Sequence, residues 1–270
     1  MSTLSNVDIE KELIQGNILV FPFNEKNIKG ASYNFTVGQF AYRIPDDPND
    51  PESRYESVYD SSNSRIVLPP KSTVLVATNE SIWVSHKIAG TYHSKVKLVS
   101  KGIGHIGTTL DPDYLGVALI ALHNLSESEV ALKVGEETFV SITFHYLKTR
   151  ATVEHDNNPG RPDLVAMIRP NEEDRKWLEV DYRSNKNKNV LKKTLNEDPE
   201  FKKFKKSYSE KWQKFLDYIP YVICLIFIGL GVYLSDISSD ERIDFFADKI
   251  TTGALAVVIV QLFSDIRRRD

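Results

Sequence analysis

The chain has 270 residues, with 34 Lys and Arg against 37 Asp and Glu, which gives a formal net charge of −3. This length allows one or two domains, and a slightly acidic chain has no general attraction for nucleic acid. The single cysteine, Cys224, excludes an intramolecular disulfide framework and a cysteine-based zinc cluster. Residues 1–15 lack the apolar segment of a signal peptide, so we expect the first half of the chain to act in the cytoplasm.

The first half of the chain is predicted to consist mainly of short strands. Ser5 and Asp8 are typical of a helix N-cap, so we predict a helix over 7–15 that ends at Gly16. Residues 45–64 are rich in Pro, Asp, Asn and Ser, which indicates a long surface loop. Strands are predicted over residues 18–21, 33–37, 65–68, 73–78, 82–84, 88–99, 117–122, 130–132 and 138–146. Many short strands separated by turn signals indicate a β-barrel or jelly-roll domain.

The centre of this half is the bend Asp111-Pro112-Asp113-Tyr114-Leu115-Gly116, which follows a Gly-rich turn. Pro112 stiffens the bend, and a carboxylate and an aromatic ring held beside it could bind a small polar ligand. The same residue types are also the commonest in an ordinary β-turn. The spacing alone leaves both interpretations open.

Several motifs together resemble one family. The segment 110–116, followed by Asn124 and by Leu132-Lys133-Val134-Gly135-Glu136, resembles the core of the dCTP deaminase and dUTPase superfamily. Segments 4–9, 16–23 and 31–38 resemble the opening of a dCTP deaminase in order and spacing. The resemblance covers roughly residues 1 to 170. It implies a distorted β-barrel, assembly as a homotrimer with sites between subunits, and a pyrimidine deoxyribonucleotide as ligand.

The resemblance also implies that deamination is lost. The catalytic glutamate of the deaminases corresponds to Ala121, and alanine cannot move a proton. A serine and an arginine of the family correspond to Val96 and Ser100, and a basic residue corresponds to Thr109.

The dUTPase pattern is better kept. Its catalytic aspartate corresponds to Asp111 and its sugar-stacking tyrosine to Tyr114, whereas Lys95 and Lys97 replace an Arg-Ser-Gly phosphate loop. Lysines attract phosphates as point charges without the bidentate geometry of arginine. Asn34 stands where the family usually has Asp, which removes a charge that helps to hold magnesium-bound water. The predicted nucleotide-binding residues are Lys95, Lys97, Asp111, Tyr114 and Asn124, with Asp111 catalytic only if the protein hydrolyses its ligand. We expect Mg²⁺ only together with a bound nucleoside triphosphate.

The six histidines show no pair at the spacing of metal ligands on a helix, so we predict no metal site built from them.

Residues 171–217 are highly charged and predicted to be helical. Their aromatic residues recur at three- and four-residue spacing on one helical face; they are Phe201, Phe204, Tyr208, Trp212 and Phe215. Two interpretations remain open. The helix packs on the β domain, or it forms a neck beside a membrane whose lysines face anionic headgroups.

Residues 218–270 contain two uncharged runs, 218–235 and 250–264. The first is long enough to cover most of a bilayer core, so we predict a two-helix transmembrane hairpin, with a buried hairpin of a soluble domain as the alternative. By the positive-inside rule both termini are expected in the cytoplasm. The predicted membrane-interface residues are Trp212, Lys214, Arg267, Arg268 and Arg269.

The predicted architecture is a β domain over 1–170, a charged neck over 171–217 and a membrane hairpin over 218–270. We expect a sensor or effector that binds a nucleotide in the cytoplasm and acts through its membrane helices, in a setting such as antiphage defence. One alternative is an active membrane-anchored dUTPase-type pyrophosphatase that uses Asp111. A second is a trimeric scaffold that binds no nucleotide.

Overall fold

The computed structural model describes residues 2–47, 53–152, 162–184, 186–237 and 248–258. Within them the strands are β1 (Ser2–Thr3), β2 (Ile18–Phe21), β3 (Ile28–Lys29), β4 (Ser32–Arg43), β5 (Glu56–Ser57), β6 (Tyr59–Asp60), β7 (Arg65–Leu68), β8 (Ser72–Val84), β9 (Ile88–Ser94), β10 (Ile103–His105), β11 (Thr109–Leu110), β12 (Leu115–Asn124), β13 (Val130–Lys133) and β14 (Thr138–Tyr146). The helices are α1 (Asn6–Gln15), α2 (Val96–Val99), α3 (Pro162–Ile168), α4 (Glu172–Leu178), α5 (Asp181–Ser184), α6 (Lys188–Glu197) and α7 (Pro199–Ile237). Residues 248–258 are also helical.

Helix α1 begins and ends as the sequence predicts. The side chain of Ser5 accepts from the backbone N–H of Asp8, and the Asp8 carboxylate accepts from the backbone N–H of Ser5, which completes a capping box. These hydrogen bonds hold the pKa of Asp8 below its usual range. Gly16 ends the helix with φ 72°, a left-handed conformation that glycine adopts without steric cost.

The strands form a mainly β domain around one curled antiparallel sheet. The central order of this sheet is β10-β12-β8-β4-β14-β9-β11, and β13, β7 and β6 form a second, smaller sheet. Side chains from the middle strands, among them Val76, Ile120 and Phe144, are at most 1% exposed and form the core. The predicted β architecture is therefore confirmed.

Two strand predictions are corrected. The strand predicted over 88–99 ends at Ser94, and residues 96–99 instead form α2, whose Leu98 turns into the core while Val96 is exposed. The two strands predicted over 73–78 and 82–84 are one strand, β8. The register of β12 on β8 shifts between Val117 and Leu119. The hydroxyl of Thr78 fills this irregularity, because it accepts from the N–H of Ala118 and donates to the carbonyl of Glu80.

The helices that follow the β domain pack against it. The Tyr42 hydroxyl on β4 donates to the buried Asp174 carboxylate on α4 over 2.5 Å. At the start of α7, the rings of Phe201 and Phe204 are each 1% exposed, and each lies 5.1 Å, centroid to centroid, from the ring of Phe23. For this part of the aromatic face, packing on the β domain is the correct interpretation.

The chain divides into two compact units, Met1–Lys205 and Lys206–Asp270. Among the helices that the structure describes, none is both long enough and apolar enough to cross a membrane. The predicted transmembrane hairpin over 218–270 is therefore not supported. The predicted membrane localisation, with both termini in the cytoplasm, stays a prediction.

Candidate functional site

The bend 111–116 connects β11 to the first two residues of β12 and is fixed by backbone hydrogen bonds. The N–H of Asp113 donates to the carbonyl of Val84 over 2.9 Å, and the N–H of Tyr114 donates to the carbonyl of Asp111 over 3.2 Å. Asp113 has φ 65°, a left-handed conformation that Asp tolerates better than most residues. The Asp111 side chain is exposed. The bend therefore presents a carboxylate to solvent on a rigid backbone.

Tyr114 is half-buried and packs against the main core. Its hydroxyl donates to the carbonyl of Val117 over 2.5 Å, which ties the ring to the start of β12. The ring is therefore held in place before any ligand arrives, as a platform for a sugar or a base would have to be.

Lys95 and Lys97 diverge at α2. Lys95 precedes the helix, and its ammonium group donates to the side-chain oxygen of Asn34 over 2.7 Å. Partial burial, and to a lesser extent the charge of Lys29, lower the pKa of Lys95. The Lys97 side chain is 74% exposed and lies 3.5 Å from a carboxylate oxygen of Glu137. Lys95 is thus anchored beside β4, whereas Lys97 is a surface ion-pair partner.

The bend and Lys95 belong to opposite ends of β9 in one chain. Strand β11 pairs with β9 so that Leu110 lies opposite Gly90. Lys95 follows Gly90 by five residues, which at about 3.3 Å per residue places it roughly 16 Å further along the sheet. A single copy of the chain therefore keeps its exposed carboxylate and its anchored lysine apart.

Position 121 lies on β12 opposite Leu75 of β8. Its alanine offers no proton-transfer group to a ligand at this place. Among the residues that the structure describes, no group of three or more His, Cys, Asp and Glu side chains could hold a metal ion.

Asn124 is 1% exposed, and both ends of its amide are engaged within the chain. The nitrogen donates to the carbonyls of Leu68, Pro69 and Ser128, and the oxygen accepts from the backbone N–H and the hydroxyl of Ser126. Its role as a nucleotide contact stays a prediction, and the observed role of the amide is to hold the turn after β12.

The predicted membrane-interface residues are only partly described. Trp212 is 45% exposed, and its ring centroid lies 6.2 Å from that of Tyr208. The Lys214 side chain and residues Arg267, Arg268 and Arg269 lie outside the part that the structure describes.

The sequence interpretation missed Glu80, a carboxyl group that is only 3% exposed within β8. Thr36 donates to it from its backbone N–H over 2.9 Å and from its hydroxyl over 2.8 Å. Burial raises the pKa of Glu80 to about 7, more than these hydrogen bonds lower it. In the sequence, the polar pair Asn79 and Glu80 indicates a turn between two strands. In the structure β8 continues through both residues, and the Glu80 side chain is buried.

The model of the dCTP deaminase-like family matches residues 3–146. This match covers about half of the chain, and the chain belongs to the dCTP deaminase-like family.

Curated relatives agree with this assignment. The chain is 30% identical over 148 residues to the dCTP deaminase of Thermococcus sibiricus, covering 55% of this chain and 85% of that protein. It is 29% identical over 145 residues to the dCTP deaminase of Pyrococcus abyssi, covering 54% and 87%. Among solved structures, the 2'-deoxycytidine 5'-triphosphate deaminase of Agrobacterium tumefaciens has a TM-score of 0.43 at 14% identity, covering 54% of this chain and 48% of that chain.

Proposed function

We propose that this protein binds a pyrimidine deoxyribonucleotide and does not deaminate it. The observation that carries the proposal is the bend 111–116, which holds Asp111 exposed and Tyr114 fixed, in a domain whose position 121 is alanine. On this proposal, the groups that recognise the ligand are kept and the proton-transfer group is missing. Family membership supports the choice of ligand, since the relatives described above are named dCTP deaminases.

The complete site is proposed to lie between copies of the chain in a homotrimer. The separation of the bend from Lys95 along β9 supports this arrangement, because a bend from one copy and a Lys95 from the next could meet the same nucleotide. Phosphate groups would be attracted by the ammonium group of Lys95, and deoxyribose would pack on Tyr114. Asn34, which already accepts from Lys95, would fix the lysine during binding.

Ligand binding is proposed to serve as a signal rather than as the first step of a reaction. The output would involve the unit Lys206–Asp270, in which large apolar side chains such as Val222, Leu225 and Ile226 are exposed. Control of their contacts by the nucleotide would make the protein a sensor or effector, and antiphage defence is one setting for such a protein. A transmembrane hairpin is not part of this proposal.

The test is a thermal-shift screen of the full chain against dCTP, dUTP, other nucleotides and cyclic nucleotides, with product analysis of each ligand that binds. Saturation of one site at 100 times its dissociation constant would add about 2.7 kcal/mol to the free energy of unfolding. Stabilisation by a pyrimidine deoxyribonucleotide without turnover is expected. Formation of a uracil nucleotide from dCTP would contradict the proposal, and stabilisation by no nucleotide would favour the trimeric scaffold.

A second function, hydrolysis of the type that dUTPases perform, is favoured by the exposure of Asp111 on the rigid bend. This carboxylate could orient a water molecule toward a phosphate. Magnesium-dependent release of pyrophosphate, lost in Asp111→Asn and kept in Asp181→Asn, would establish it. Asp181 is a suitable control because it is an exposed carboxylate on α5.

A further inference from the structure

A cavity separate from the exposed carboxylate of Asp111 lies where β8, the back of the bend and residues 186–188 come together. Its volume is about 490 Å³, within the range of roughly 300–1,000 Å³ that small-molecule sites occupy. The lining residues are Trp83, His86, Asp113, Leu115, Lys186, Asn187 and Lys188. All of them belong to the unit Met1–Lys205.

The side chains that line the cavity contact one another, and their lysines outnumber their carboxylates. The indole N–H of Trp83 donates to Asp113 over 2.9 Å, and an imidazole nitrogen of His86 lies 4.0 Å from the same carboxylate oxygen. The ammonium group of Lys188 lies 4.0 Å from the centroid of the Trp83 ring, a cation–π contact. One carboxylate therefore faces two lysines, Lys186 and Lys188.

One further feature of the wall favours an anion. Helix α6 begins at Lys188, so the positive end of its backbone dipole adds to the charge of the two lysines.

We propose that this cavity binds a small phosphate monoester. The lysines would neutralise the phosphate, which they attract as mobile point charges. The Trp83 ring is 5% exposed and covered by Lys188, so stacking of a base on this ring does not explain the cavity. The bound phosphate would draw the ammonium group of Lys188 away from the Trp83 indole. The same indole donates to Asp113, a residue of the bend.

The same phosphate chemistry could come from a soluble metabolite or from a lipid headgroup. The first probes are therefore inorganic phosphate and glycerol 3-phosphate, titrated into the full chain and followed through the NMR signal of the Trp83 indole N–H. That signal is assigned by its loss in Trp83→Phe. The second probe is phosphatidylcholine vesicles with and without phosphatidic acid, followed by co-sedimentation.

Saturable movement of the Trp83 signal, weakened about tenfold or more by Lys186→Ala/Lys188→Ala, is the expected result. The matched variant Lys202→Ala/Lys203→Ala removes two exposed lysines from α7 and should leave binding within about twofold. Lys95→Ala should also leave it unchanged, which separates this site from the proposed nucleotide site. Binding only to phosphatidic acid vesicles, lost in the same double variant, would support the site and assign a lipid source.

The proposal is overturned if neither probe binds, or if the Lys186/Lys188 variant binds as well as the Lys202/Lys203 variant. Because all four lysine side chains are exposed, these variants should fold. The unfolding midpoint of each variant checks this.

Discussion

The ammonium group of Lys95 and the side-chain oxygen of Asn34 lie 2.7 Å apart, which joins the start of α2 to the first residues of β4. Because the partner is a neutral amide, it orients the lysine without cancelling its charge. Asn34→Asp would convert the contact into an ion pair and place a carboxylate where the nucleotide phosphates are proposed to bind.

Asn34→Asp is expected to weaken binding of dCTP without magnesium by about tenfold, as measured by isothermal titration calorimetry. Gln213→Glu adds the same charge at an exposed position on α7 and should change the affinity little. Tighter binding in Asn34→Asp would contradict this account of the lysine.

Asn124→Ala should act mainly on stability. The substitution removes five hydrogen bonds and leaves the carbonyls of Leu68 and Pro69 without their amide partner. We expect the free energy of unfolding to fall by roughly 2–4 kcal/mol, measured by urea denaturation. Asn189→Ala, at an exposed position on α6, is the control. Unchanged stability together with a lost affinity for dCTP would show that Asn124 contacts the ligand instead.

Glu80 should make stability depend on pH. Its folded-state pKa of about 7 lies above the ordinary value of 4.5, so the folded protein holds this proton more tightly than the unfolded chain does. Protonated Glu80 contributes fully to the free energy of unfolding below about pH 4.5, and this contribution is lost as the pH rises through about 7. The loss approaches about 3 kcal/mol.

The measurement is urea denaturation across this pH range, in the original protein and in Glu80→Gln. The amide cannot ionise, so the difference between the two proteins should change sharply between about pH 5 and pH 8. Parallel curves would show that Glu80 does not titrate there.

Phe201→Ala should destabilise the unit Met1–Lys205. The ring is buried against Phe23 and Phe204, and removal of a buried phenyl ring typically costs about 3–5 kcal/mol. Trp212→Ala removes an aromatic residue from the same predicted helical face, but at a side chain that is 45% exposed, and should cost under about 1 kcal/mol. Equal effects would contradict the division of this face into a packed part and an exposed part. Thermal unfolding followed by circular dichroism would compare them.

The sequence predicts the β architecture well because local signals and tertiary packing agree there. Ser5, Asp8 and Gly16 fix α1, and β7 and β14 have the predicted bounds. The strand prediction fails at 96–99, which form α2. Only Leu98 is buried there, and a single apolar side chain can reach the core from a helical turn as well as from a strand.

The candidate site is predicted less completely. Residues 111–116 form a recognisable bend, but the engagement of Asn124 depends on carbonyls of residues 68 and 69, which are distant in sequence. The inward direction of Glu80 depends on β8 continuing unbroken through residues 79 and 80, where the sequence indicates a turn. The cavity beside Trp83 forms only because Lys188 packs on this residue of β8, although the two are about a hundred residues apart in sequence. No local sequence pattern predicts such a contact.

The unit that folds is longer than the segment that matches the family. The match ends at residue 146, whereas α3 and α4 bring Ile168 and Trp177 against Phe40 and Tyr42. A fragment ending at Tyr146 would leave this apolar face of the sheet open to water and prone to self-association. Ile168 and Trp177 are therefore part of the packing of this unit, although both lie beyond the segment that matches the family.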